Sequence, residues 1–253
     1  NHEQCMRGGQ GWYRFLDPLP YDETKSCNDP TNDNAGNYNT PYAVSLGPDA
    51  QVIVFDSSNV GAAALSPMTK PADVLMFNNY QSELQTVAGL ATANLFNIFT
   101  NHHPLLAYTS VAGANPSGGN PALLSVMQAT FGSAFFPPNI KLTLEGHNHI
   151  FEAIDFSTPH PISILSGNGG DNLDLNLPDP FPLGPAASGG DEPSPGVVAD
   201  AIADMSSFGF LVLDRAVGGW TAREYRHDGV LMDTCAINSA TDKIACDKQG
   251  FLH

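Results

Sequence analysis

The sequence predicts one α/β domain, and three observations lead to this class. Short apolar runs typical of buried strands recur along the chain, among them residues 51–55, 97–100 and 140–144. Apolar residues between positions 80 and 91 recur near a period of 3.6, which indicates a helix over residues 79–96 that joins two of these runs as a βαβ unit. The length of 253 residues is sufficient for one large domain with a sizeable core.

The remaining elements follow from similar signals. Residues 43–46 alternate like a strand, and residues 121–131 are predicted to form a second helix with a proline in its first turn. Strands are predicted over residues 151–156, 161–166, 208–217 and 220–226, and a short helix over residues 197–203. Gly218 and Gly219 indicate a hairpin turn between the last two strands.

The charge of the chain excludes one class of function. Asp and Glu number 26 against 10 Lys and Arg, which gives a formal net charge of −16. So acidic a surface repels the phosphate backbone, and we expect no nucleic-acid binding. It also repels small anions unless metal ions reverse the field locally. No apolar run approaches the roughly 20 residues of a membrane span, so no membrane partner is expected.

The four cysteines form two local pairs, each closing a short polar loop. This spacing favours two disulfides, Cys5–Cys27 and Cys235–Cys246, over thiolate metal ligands, since no Cys-x-x-Cys spacing is present. Disulfides, few lysines and many Asn, Gly and Pro residues together predict a periplasmic or extracellular protein.

Histidines follow two of the predicted strands. His147 and His149 come after the strand 140–144, and in an extended segment residues two apart point the same way. Gly146 would let the backbone turn or approach closely there. His102 and His103 come after the strand 97–100. Histidines that converge at the carboxyl ends of strands favour a metal site, and a pair of surface histidines in a turn is the alternative.

Three motifs in order, Asn1-His2-Glu3, His102-His103-Pro104 and Gly146-His147-Asn148-His149, resemble those of the calcineurin-like metallophosphoesterases. The resemblance is to the secreted bacterial branch related to purple acid phosphatases, and it extends to residues 9–18, 54–58 and 166–170. It implies a four-layer α-β-β-α sandwich of two mixed sheets, of which this chain carries the C-terminal portion. Residues 1–228 would form this domain without its first strands, and residues 229–253 a disulfide-closed tail.

The resemblance also implies two metal ions, which would be Fe, Zn or Mn. Asn1, His102 and His147 match ligands of one ion, and His149 matches a ligand of the other. His2 matches the histidine that protonates the leaving oxygen or stabilises charge on the phosphoryl oxygens. Glu3 would hold the tautomer of that imidazole.

Two further residues are substrate-side candidates. His103 occupies the variable position of its motif and is either substrate-side or structural. Asn168, in the Gly-rich turn at residues 167–170, is the other candidate.

The implied function is hydrolysis of phosphate mono- or diesters by attack of a metal-bound hydroxide, with small esters favoured over long polyanions. In the family, an Asp-x-His and a Gly-Asp strand end precede the Asn-His-Glu motif, and residues 1–253 contain neither before Asn1. We therefore expect an upstream segment or a second chain to complete the site. The alternative is a non-catalytic extracellular binding or assembly module with an incomplete site.

Overall fold

The structure is a computed structural model that describes residues 40–57, 60–112, 114–170, 172–183 and 191–251. The strands in these ranges are β1 Tyr42–Ser45, β2 Ala50–Val54, β3 Phe96–Thr100, β4 Ile140–Glu145, β5 Phe151–Phe156, β6 Ile162–Ser166, β7 Ala199–Met205, β8 Gly209–Ala216, β9 Gly219–Arg226, β10 Leu231–Asn238, β11 Lys243–Cys246 and β12 Gly250–Phe251. The α-helices are α1 Val74–Leu90 and α2 Pro121–Phe131, and 3-10 turns cover Pro71–Asp73 and Gly132–Ala134.

The strands form two sheets, which confirms the predicted α/β class with two sheets. The large sheet has the order β1-β2-β3-β4-β6-β5-β7-β12 and is mixed, since β2, β3, β4 and β6 are parallel and the other pairs are antiparallel. The small sheet, β11-β10-β9-β8, is antiparallel throughout and not mixed. Its strands follow one another through short turns, and such turns can only reverse the chain direction.

Two hydrophobic cores separate the layers. The first joins α1 and α2 to one face of the large sheet, through side chains such as Leu84, Val126 and Phe99. The second lies between the sheets, where Ile98 and Leu142 share a cluster with Trp220, Ile237 and Ile244. Both helices are crossovers between neighbouring parallel strands, and right-handed crossovers place them on one face. The part of the chain that the structure describes therefore has three layers, and the second helical layer of the predicted sandwich has no counterpart there.

Local signals explain the helix that is best predicted. Helix α2 has the predicted bounds, because the side chain of Asn120 accepts a hydrogen bond from the Leu123 N–H at 3.0 Å and Pro121 occupies the first turn. Helix α1 lies earlier than the predicted residues 79–96, since a 3-10 turn leads into it and residues 91–95 form the connection to β3. None of the described helices is long and apolar enough to cross a membrane.

The predicted helix over residues 197–203 is wrong, because this segment enters strand β7. Strand β7 pairs antiparallel with β5, and Ala199, Ala201 and Ala203 are buried at every second position. The helical preference of alanine is only a weak prior, and pairing with a buried neighbouring strand outweighs it.

Residues of the predicted tail contribute to the small sheet. Strands β10 and β11 pair antiparallel with Cys235 directly opposite Cys246, and these two cysteines form a disulfide, as predicted. Cys235 and Ile237 are buried in the second core. The other predicted disulfide, Cys5–Cys27, lies outside the described residues.

A partly buried carboxyl group on α1 makes stability depend on pH. Burial, with a smaller contribution from the carboxylate of Asp56, raises the pKa of Glu83 from 4.5 to about 8. The Glu83 Oε2 atom is buried and has no hydrogen-bond partner among the described residues. The folded protein therefore binds a proton that the unfolded chain releases between these two pKa values, so stability falls as the pH rises through this window.

We expect Glu83→Gln to raise the free energy of unfolding at pH 8 by an amount on the order of a few kcal/mol. At pH 4 the variant should match the wild type, because the glutamate then carries its proton in both states. Urea unfolding of both proteins at the two pH values measures the difference. An equal gain at both pH values would show that charge is not its cause.

Candidate metal centre

Two histidine-bearing segments meet at one edge of the large sheet. Strands β3 and β4 are parallel neighbours, so their carboxyl ends lie side by side, and His102 and His147 follow them. The pairing continues past both strands, since the Asn101 N–H donates to the Leu144 carbonyl at 3.3 Å and the Gly146 N–H donates to the His102 carbonyl at 3.1 Å. These bonds hold the two segments in fixed register.

Three imidazoles converge at this edge. One ring nitrogen from each of His102, His103 and His147 lies within 4.8 Å of the other two. His147 Nδ1 and His102 Nε2 are 3.0 Å apart. Two nitrogens bound to one cation at about 2.1 Å, at right angles, are separated by roughly 3 Å. Imidazole nitrogen is a ligand for Zn, Fe and other borderline cations, so the residues present fit a transition metal.

His103 belongs to this cluster and is buried. Its Nδ1 lies 3.0 Å from Ser57 Oγ, and its backbone N–H donates to the same oxygen at 3.3 Å. Burial, reinforced by the neighbouring His102 and His147, lowers the pKa of His103 to about 3, so its ring is neutral at ordinary pH. Sequence reasoning left His103 as substrate-side or structural and did not single out Ser57. Ser57 follows β2, the parallel neighbour of β3, so the rule that pairs strand ends would have found it.

The predicted alignment of His147 with His149 is wrong. Strand β4 ends at Glu145, and His147 has a left-handed backbone with φ of 70°. Because the segment is bent and not extended, the two-residue alternation ends with the strand. His149 is not part of the three-histidine cluster, and its backbone N–H donates to Asp174 Oδ2 at 2.7 Å.

The glycine that this bend requires is Gly167 rather than Gly146. A Cβ atom on Gly146 would lie 3.7 Å from the His102 carbonyl oxygen, which is an ordinary contact. A Cβ atom on Gly167 would lie 1.8 Å from the Asn148 carbonyl oxygen. The turn after β6 therefore packs directly against the residue between the two motif histidines, and only glycine fits there.

Buried polar side chains hold the loop that follows His103. Glu145 accepts a hydrogen bond from the Leu105 N–H at 3.0 Å, and Glu152 accepts one from the Tyr108 N–H at 3.0 Å. Asn148 donates to the Tyr108 carbonyl at 2.9 Å. Burial raises the pKa of Glu145 to about 8 and that of Glu152 well above its usual range. Sequence reasoning missed both glutamates, because nothing local distinguishes a buried glutamate from a surface one.

Asn168 has a structural position, not the substrate-side position predicted for it. Its side chain is buried and donates to the Ser207 carbonyl at 2.8 Å and to Glu224 Oε1 at 2.7 Å. Since Glu224 belongs to β9, these bonds tie the turn after β6 to the small sheet.

The other predicted site residues, Asn1, His2 and Glu3, lie outside the described residues. A cavity of about 600 Å³ opens beside the cluster, with His103 and His147 in its wall. A metal-binding edge next to a cavity of this size can hold a small ligand against a cation.

Comparisons with known proteins give distant likenesses. No protein-family profile matches the chain, and no curated protein sequence matches it. The chain is similar to GAP50, the anchor in the inner membrane complex of Plasmodium, with 16% identity, a TM-score of 0.40, and coverage of 77% of this chain and 51% of that one. It is also similar to PhoD, with 11% identity, a TM-score of 0.44, and coverage of 85% and 45%. The chain thus spans about half the length of each. Neither likeness is close enough to extend to activity or ligands.

Proposed function

We propose that the chain is part of a metal-dependent phosphoric ester hydrolase that acts on phosphate mono- or diesters. The observation that carries the proposal is the cluster of three imidazoles at the carboxyl ends of neighbouring parallel strands, beside a cavity. The order of the motifs that contain Asn1, His102 and His147, which resembles that of the metallophosphoesterases, supports the same reaction class.

The proposal assigns ligands to two cations. His102 and His147 would hold one of them together with Asn1, and His149, which stands outside the cluster, would serve the other. The neutral ring of His103 lies close enough to share the first cation or to pack against its ligands. When bound, the cations would supply positive charge that offsets the acidic surface and stabilises a phosphoryl group in its transition state.

The chain's own residues would orient the ester and handle its proton. His2 would donate a proton to the leaving oxygen, and Glu3 would hold the imidazole of His2 in the correct tautomer. Asn148, Glu145 and Glu152 would keep the loops around the histidines in place through the hydrogen bonds described above.

The setting of the proposed enzyme is oxidising. The disulfide between Cys235 and Cys246 is typical of secreted proteins, and we propose a periplasmic or extracellular location. A small phosphate ester would be its substrate and nucleic acid would not, given a net charge of −16. An upstream segment or a second chain would complete the metal site.

Hydrolysis of para-nitrophenyl phosphate and of its diester tests the proposal in the complete natural protein. We expect a chelator to lower the rate about a hundredfold or more, and Zn, Fe or Mn to restore it. A protein that hydrolyses neither ester with any of these ions would contradict the proposal and favour the non-catalytic binding module.

A further inference from the structure

The cavity beside the histidine cluster differs in character from the rest of the protein. Its volume of about 600 Å³ lies within the range of small-molecule sites. Its described lining contains no Asp, Glu, Lys or Arg side chain, although the chain carries 26 acidic and 10 basic residues. The polar residues that face it are neutral hydroxyl and amide groups, including Thr109, Ser117, Asn120, Gln128 and Asn148. A charged group that entered this cavity would find no ion-pair partner in the described lining.

One buried hydroxyl in the wall points to a ligand. Ser194 is 2% exposed and lines the cavity, and its Oγ has no hydrogen-bond partner among the described residues. Buried hydroxyls in folded proteins are normally paired, because an unpaired one loses its water without compensation. An oxygen atom of a bound molecule would supply the missing partner.

The walls of the cavity are held by close backbone contacts. A Cβ atom on Gly118 would lie 2.0 Å from the Pro193 carbonyl oxygen, and one on Gly119 would lie 1.9 Å from the Leu105 carbonyl oxygen. The segment at residues 117–121 therefore packs between the Ser194 segment and the loop after His103 with no room for a side chain. Such a site is largely preformed, so its shape and chemistry select the ligand.

We propose that this cavity binds the alcohol portion of the phosphate ester, and that this portion is uncharged and carries an oxygen that pairs with the Ser194 hydroxyl. The inference rests on the proposed function, since His103 and His147, which line the cavity, would place the phosphate end beside the cations. An ester of an anionic or cationic alcohol would lose hydration in the cavity without gaining an ion pair, so it would bind more weakly.

Three small esters that differ in the charge of the alcohol test this selection in the complete, metal-loaded protein. We expect kcat/KM for glycerol 3-phosphate to exceed that for 3-phosphoglycerate and for phosphoethanolamine by about tenfold or more. In Ser194→Ala, KM for glycerol 3-phosphate should rise about tenfold, while KM for phenyl phosphate, whose alcohol has no second oxygen, stays unchanged. Ser163→Ala is the matched control, because Ser163 is a buried, unpaired serine of β6 outside the cavity.

A charge placed on the wall tests the same selection independently. Gln128 is an exposed residue of α2 that lines the cavity, so a lysine there leaves the helix core intact. Gln128→Lys should raise the ratio of kcat/KM for 3-phosphoglycerate to that for glycerol 3-phosphate by about tenfold. Gln85→Lys, at an exposed position of α1 outside the cavity, adds the same charge and should leave this ratio unchanged.

The outcomes separate this inference from the proposed function. Equal kcat/KM for the three esters, with no effect of Ser194→Ala or Gln128→Lys, would overturn the cavity assignment while hydrolysis itself stands. If the metal-loaded protein hydrolyses no ester, the proposed function fails, and calorimetric binding of the same three esters decides the inference. A preference for glycerol 3-phosphate that Ser194→Ala removes would support it, and equal binding of all three would overturn it.

Discussion

His102→Ala and His147→Ala are each expected to lower phosphoester hydrolysis by about a thousandfold or more and to remove one of the bound metal ions. His147 Nδ1 and His102 Nε2 are 3.0 Å apart at the ends of neighbouring parallel strands, so each variant removes one of two nitrogens that face the same point. Because both changes abolish one site, the double variant should lose scarcely more activity than either single variant.

His227→Ala is the control for these two variants. His227 is an exposed histidine that follows β9, and its backbone N–H, which the substitution keeps, donates to the Phe208 carbonyl. Its loss should leave hydrolysis and metal content at the wild-type values. Unchanged hydrolysis in both His102→Ala and His147→Ala would remove the basis for the proposed site.

Gly167→Ala is expected to give the largest loss of stability, on the order of several kcal/mol, and to disturb the histidine cluster at the same time. Its Cβ atom would lie 1.8 Å from the Asn148 carbonyl oxygen, which is shorter than any permitted contact, so one of the two backbone segments must move. Since Asn148 lies between the two motif histidines, the movement would also lower metal affinity.

Gly169→Ala, two residues further along the same turn, is the matched control. A Cβ atom on Gly169 would have no heavy atom within 4 Å, so this variant should unfold at nearly the wild-type temperature. Thermal unfolding and metal content of both variants test the prediction. Similar behaviour of the two variants would show that the approach of Gly167 to Asn148 does not matter.

The parts of the fold that sequence reasoning placed correctly carry strong local signals. Helix α2 has an asparagine cap, a proline in its first turn and a buried apolar face, and β5 is a continuous apolar run bounded by polar turns. Strand β7 lacks such signals, because its alanines are compatible with a helix and only pairing with β5 makes them strand residues. The antiparallel small sheet and the single described helical layer likewise depend on tertiary packing.

The candidate site shows the same division. The positions of His102 and His147 follow from a rule about the ends of parallel strands, which needs only the order of the elements. His103, Ser57 and Glu152 required knowledge of which loops come together, and nothing in their immediate neighbours indicates it. The bend at His147 was missed because the strand ends one turn earlier than a continued alternation assumes.

The most direct test of a metal-dependent enzyme is elemental analysis of the complete natural protein beside its His102→Ala, His147→Ala double variant. The account predicts about two transition-metal ions per chain in the wild type and about one fewer in the double variant. Equal metal content in the two proteins, or none in the wild type, would contradict it, and the histidine cluster would then belong to a non-catalytic protein.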